Sequence, residues 1–198
     1  MLENNQSLKF RSSCAIAGEG SFFTFREISE IAAKLKANYQ HMVLFKLMYA
    51  FGLTISELIN LRVKNIDLEK KLIFINSVRK NNPRILNIPV DMVQILRAEA
   101  CQRIGEELLF TGRNGKLHPR TVQKIFEKAR SLTGKKITVN ILRRSTAAHL
   151  KMQGWNDQAI KEYLGHSNTR STRKLMGEAA RLRQRKVIEL KEINNTAA

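Results

Sequence analysis

The chain has 198 residues, enough for one domain with its own core, and 43% of them are hydrophobic. Lysine and arginine number 35 against 17 acidic residues, and a net charge of +18 points to a polyanionic partner, the alternative being a basic surface with no partner. No apolar run reaches the roughly 18 residues of a membrane span, no basic helix carries the aromatic face of a membrane-surface segment, and Glu3, Lys9 and Arg11 interrupt any secretory signal.

The expected location is therefore the cytoplasm, in association with the nucleoid. Cys14 and Cys101 are too few for a disulfide framework and read as free thiols. No second histidine or cysteine stands at metal spacing from His118, and no cofactor is expected.

In chain order, residues 1–22 are polar and without period, and read as a flexible leader. Thr24 and Glu27 form a capping box that opens a helix with Ile28, Ile31, Ala32 and Leu35 on one side. His41 to Phe51 is apolar nearly all round, a buried helix closed by Gly52, with Tyr49 in the core. Thr54 and Glu57 form a second capping box. Leu72 to Val78 alternates as a strand, Arg79 to Pro83 turns, and Arg84 to Ile88 returns. Pro89 opens a helix from Val90 to Ile104, with Val93, Leu96, Ala100 and Ile104 inward. A short strand, Leu108 to Phe110, leads through a turn to a helix from His118 and Pro119. There Val122, Ile125, Phe126 and Ala129 face the core while Arg120, Gln123, Lys124 and Glu127 face out.

The stretch Thr138 to Met176 carries the chemistry. Asn140 reads as a helix cap with Arg143 one turn on, and free backbone N–H groups beside a guanidinium make a phosphate site. Leu142, Thr146 and Leu150 point inward, and His149 and Trp155 pack. A second helix runs from Asn156 to Leu164, Gly165 closes it, and His166 follows on the exit loop. Beyond lies a basic stretch (Arg170, Arg173, Lys174, Arg181, Arg183) with an apolar stripe through Leu175, Ala179 and Leu182. It reads as an amphipathic last helix, docked either on a neighbouring copy or on its own core.

Three segments together, Gly52-Leu53-Thr54-Ile55-Ser56-Glu57-Leu58, Asn140-Ile141-Leu142-Arg143-Arg144 and Leu164-Gly165-His166, resemble the signature of the tyrosine recombinases, the phage-integrase family. The likeness covers nearly everything from about Phe23 onward. It implies a mainly α catalytic-domain fold with a small antiparallel β-sheet, spanning residues 23–177, with 178–198 as the basic C-terminal helix. Leader and domain together resemble the short layout of the fimbrial invertases.

The resemblance also assigns the site. Lys80 matches the hairpin lysine that protonates the leaving oxygen, the alternative being that Arg79, Lys80 and Arg84 are only a solvated basic turn, and Arg143 and His166 match retained members of the family's pocket. Thr54 stands where the family has its first phosphate-binding arginine. Asn140 stands in place of a histidine or lysine, Arg144 in place of a histidine, and Leu175 in place of the nucleophilic tyrosine. Thr54 can donate one hydrogen bond to a phosphate but cannot neutralise its charge. The helix at Arg120 corresponds to the family's major-groove helix, the alternative being an ordinary charged face.

Double-stranded DNA is the expected partner, through Arg79, Lys80, Arg120, Gln123, Lys124, Arg143, Arg144, His166 and Arg173, with a homo-oligomer forming through the last helix. The vestigial pocket implies a protein that binds DNA without cutting it, a sequence-specific transcriptional or architectural regulator, for instance of a mobile element. The alternatives are an active or heteromeric recombinase subunit, and an interaction module that caps one.

Overall fold

The computed structural model describes residues 22–76, 82–101, 103–112, 115–168, 170 and 172. Helix α1 (Phe25–Lys34) starts at the expected capping box: Glu27 N–H donates to the Thr24 hydroxyl at 3.2 Å, and Thr24 N–H donates to the Glu27 carboxylate at 2.7 Å. It buries Ile28, Ile31 and Ala32. Helix α2 (Tyr39–Ala50) begins at Tyr39 rather than His41, because the Asn38 side chain accepts from His41 N–H at 3.1 Å and sets the start earlier. It is apolar on nearly every face and packs against α1, α3 (Ile55–Ile59), α5 (Pro119–Thr133) and α6 (Val139–Met152), which makes it the centre of the fold.

The strands β1 (Ile66–Asp67), β2 (Leu72–Ile75) and β3 (Arg84–Asn87) form an antiparallel sheet in that order, with Ile73 opposite Leu86 and Ile75 opposite Arg84. The expected strand to Val78 ends at Ile75. The hairpin tip, with Arg79 and Lys80, lies outside the described residues. Strand β1, only two residues long, carries no alternation by which it could be foreseen.

Helix α4 (Val90–Ala100) stops at Cys101, so the inward placement expected for Ile104 fails, and that side chain is 74% exposed. The strand expected at Leu108 is an isolated bridge to Arg62. The strands that form are β4 (Thr111–Gly112) and β5 (Gly115–Lys116), a two-stranded hairpin that follows the buried Leu109 and Phe110.

The N-cap of α5 is His118, whose Nδ1 accepts from Arg120 N–H at 3.1 Å. The cap of α6 is Thr138, not Asn140: the threonine hydroxyl accepts from Ile141 N–H at 3.2 Å. Asn140 therefore falls inside the first turn, exposed. Helix α7 (Asp157–Leu164) is capped by Asn156 and tied to α6 by a Lys151–Asp157 ion pair at 2.6 Å. Among the described residues no helix is long and apolar enough to cross a membrane.

His149 is buried where α6 crosses α1 and α2. Its ring stacks on Phe25 with centroids 3.8 Å apart, and its Nδ1 pairs with the Tyr49 hydroxyl at 2.7 Å. Burial pushes its pKa down to about 4, against a backbone hydrogen bond at Phe23 that acts the other way. The unfolded chain then takes up the proton more readily than the folded one. The stabilisation is complete above about pH 6.5 and is lost as pH falls toward 4, a difference of about 3 kcal/mol. Urea unfolding of the wild type and of His149→Phe between pH 7 and pH 4 should show the wild type losing clearly more stability over that window than the variant, which keeps only the losses of carboxylates such as Glu57 and Glu27. Parallel profiles would show that His149 takes up its proton as readily inside the fold as in the unfolded chain.

Candidate functional site

The site is assembled where α3, β3, α6 and the end of α7 meet. Thr54 and Glu57 close the second capping box as expected, Glu57 N–H donating to the threonine hydroxyl at 3.3 Å and Thr54 N–H to the carboxylate at 2.8 Å. The Thr54 hydroxyl also meets Glu57 Oε2 at 3.0 Å and donates its proton there. The reading of Thr54 as a spare donor for a phosphate is thereby corrected, since its one O–H is committed to the carboxylate.

Glu57 receives a second residue from across the sheet. Arg84, the first residue of β3, donates from Nη1 to Oε1 at 2.6 Å and from Nη2 to Oε2 at 3.3 Å. Both side chains are buried. Burial raises the Glu57 carboxyl, but the Arg84 hydrogen bonds and charge, the Thr54 N–H and the nearby Arg143 outweigh it and hold it below the ordinary carboxylate range. The alternative that Arg84 shares a solvated basic turn with Arg79 and Lys80 fails for Arg84. It is 8% exposed, while its neighbour Ile85 is 59% exposed. The cause is the register: Arg84 and Leu86 share the face of β3 that turns inward with Ile73 and Ile75.

Arg143 enters from α6. It donates through Nη1 to the Gly52 carbonyl and through Nη2 to the Leu164 carbonyl at 3.0 Å. It clamps the C-terminal ends of α2 and α7 together and leaves α6's own first turn to the Thr138 cap. Burial lowers its pKa to about 10, with the Glu57 carboxylate opposing and the Arg84 guanidinium adding to the fall, so it stays charged at neutral pH.

Gly165 ends α7 at φ +65°, a left-handed conformation that glycine adopts without strain. Its bare face lies against Arg84: a Cβ there would stand 2.6 Å from Nη1. His166 follows, its Nδ1 paired with the Thr172 hydroxyl at 2.9 Å. Three cationic or titratable side chains, Arg84, Arg143 and His166, thus gather around Gly165 and Glu57, each only 7–9% exposed.

The other sequence-derived candidates sit elsewhere or beyond what is described. Arg120, Gln123 and Lys124 lie exposed on the first half of α5, whose inner face buries Val122, Ile125, Phe126 and Ala129 as expected. Arg144 is half-buried on α6. Arg79, Lys80, Arg173 and Leu175 fall outside the described residues. A cleft of about 420 Å³ between α1 and α2, lined by Ile28, Met42, Tyr49 and Met92, shares no residue with the cluster. The Glu57–Arg84 pair was missed because the two residues lie far apart in the chain. The signal available was the phase of β3, since counting back by twos from Ile88 through Leu86 puts Arg84 on the inner face.

Helices packed around α2, a small three-stranded antiparallel sheet beside them, and Arg143 and His166 brought close together make up the fold of a recombinase-like catalytic domain. The phage integrase family matches residues 21–178, and the chain belongs to that family. It is 33% identical over 135 residues to the tyrosine recombinase XerA of Thermococcus onnurineus, an alignment covering 66% of this chain and 48% of that one. It is 31% identical over 150 residues to a tyrosine recombinase of Pseudothermotoga lettingae, covering 74% and 52%. The chain thus spans about half the length of the curated relatives it matches. In fold it is similar to a crystal structure of XerA recombinase (TM-score 0.73, 18% identity, 84% of this chain and 64% of that one). It is also similar to XerH recombinase bound to its palindromic difH substrate (TM-score 0.72, 18% identity, 87% and 53%).

Proposed function

We propose that this chain binds duplex DNA without cutting it, as a sequence-specific transcriptional or architectural regulator. The net charge of +18, the cationic outer face of α5 and the pocket of Arg84, Arg143 and His166 support DNA as the partner. Phosphate contacts and counterion release supply affinity, and residues such as Arg120, Gln123 and Lys124 read base edges.

The observation that carries the absence of cleavage is the state of the hydroxyls. The family's nucleophile position is Leu175. Tyr49 is buried against His149, and the Tyr163 hydroxyl donates to the Ala50 carbonyl at 2.6 Å. Burial raises the pKa of both, the opposite of what activates a nucleophile. The Thr54 proton goes to Glu57.

The names of the curated relatives favour a second reading, a subunit of a site-specific recombinase that is active or that receives a tyrosine from a partner. One experiment separates the two. The protein is incubated with random and genomic duplex fragments, then run on denaturing gels, and the bound fraction is sequenced. The expected result is an enriched motif with no detergent-stable adduct, and Arg120→Ala should weaken binding to that motif by about 1–3 kcal/mol more than to random DNA. An adduct would establish the second reading. Equal losses on both DNAs would remove α5 from base readout.

A further inference from the structure

We propose that Arg84 is the second phosphate-binding guanidinium of the pocket, delivered from β3 in place of a side chain from position 54. The inference rests on the DNA-binding reading and names the ligand of this pocket as one backbone phosphate.

Four observations carry it. Position 54 is a threonine whose hydroxyl is used internally, so α3 brings no cation of its own to the pocket. The Arg84 guanidinium comes to the same carboxylate that closes the α3 cap, and so lies beside the start of that helix. Its Nη1 lies over the bare face of Gly165, between Leu164, whose carbonyl holds Arg143, and His166. Finally, Arg84 Nε is buried with no hydrogen-bond partner among the described residues. A buried guanidinium N–H without an acceptor is costly, and an anion admitted beside the Arg84 fork would supply one.

Glu57 does not cancel this role. A guanidinium has five N–H donors in a rigid fork, and the carboxylate takes two of them. The pair is neutral, and with Arg143 the cluster keeps a net positive charge. Glu57 acts as a positioning residue that aims the fork.

The test uses the full chain, a fluorescent duplex carrying the selected motif, and affinity measured across a salt series. Replacing the whole pair, Glu57→Gln with Arg84→Gln, removes both members of the ion pair and leaves Arg143 held by the Gly52 and Leu164 carbonyls, and circular dichroism checks that the variant folds. Weaker binding and a salt slope flatter by about one unit are expected, the signature of one lost phosphate contact. Adding Thr54→Arg to that background should restore the slope. Arg84→Lys keeps the charge and the partner but not the fork. It should bind roughly tenfold more weakly or worse, and it keeps the question answerable if the double variant does not fold. A folded double variant with wild-type affinity and slope, or an Arg84→Lys protein that binds as the wild type does, would overturn the proposal and leave Arg84 a structural clamp. Failure of the wild type to bind any duplex would instead overturn the DNA-binding reading on which the proposal stands.

Discussion

Glu57→Ala is expected to cost about 3–5 kcal/mol of folding stability, the penalty for breaking one side of a buried ion pair. For a domain whose whole stability is about 5–15 kcal/mol, that loss is enough to leave much of the protein unfolded at physiological temperature. Three consequences combine. The Thr54 cap loses its reciprocal acceptor, Arg84 is left charged and unpaired, and Arg143 loses the carboxylate that offsets its burial. Glu57→Gln keeps an acceptor for Thr54 and should cost less. Urea unfolding of both variants measures this. A loss below about 1 kcal/mol for Glu57→Ala would show that the pair behaves as a solvated surface contact.

Gly52→Ala is expected to cost about 2–5 kcal/mol, from two separate sources. Gly52 sits at φ +56°, where an alanine costs about 1–2 kcal/mol. Its Cβ would also stand 2.4 Å from Leu164 Cδ2, and overpacking of that kind costs about 1–3 kcal/mol. Any relaxation moves the Gly52 carbonyl that holds Arg143, so the pocket shifts with it. Gly134→Ala is the control. That glycine has φ +69° and nothing within 4 Å of its Cβ position, so only the backbone strain applies. Thermal unfolding should place Gly52→Ala well below Gly134→Ala, and equal effects would show that α7 does not pack closely on the Gly52 turn.

Local chemistry was the most legible part of the sequence. Both capping boxes and the closing Gly165 form as their spacing predicts, because each depends on atoms a few residues apart. The inner and outer faces of α5 follow from its period. Errors came where two local signals competed. Asn140 and Thr138 are both good caps, and the backbone of Thr138 is the extended one. At α4 the apolar period continues on paper to Ile104, but the helix ends at Cys101.

The sequence by itself determined the family, the helix starts, the basic balance of the chain and the absence of a tyrosine at position 175, since these are properties of residue identity and short spacing. Only the tertiary structure decided what the pocket contains. Arg84 reads as one more cation beside a turn until the pairing of β2 with β3 fixes its phase and turns it inward onto Glu57. Thr54 reads as a free hydroxyl until its carboxylate partner is seen to take the proton. Arg143 reads as a helix-start arginine until the ends of α2 and α7 are brought to it as two carbonyls. In each case the deciding partner lies on another element, where burial and register, rather than local propensity, set which side chains meet.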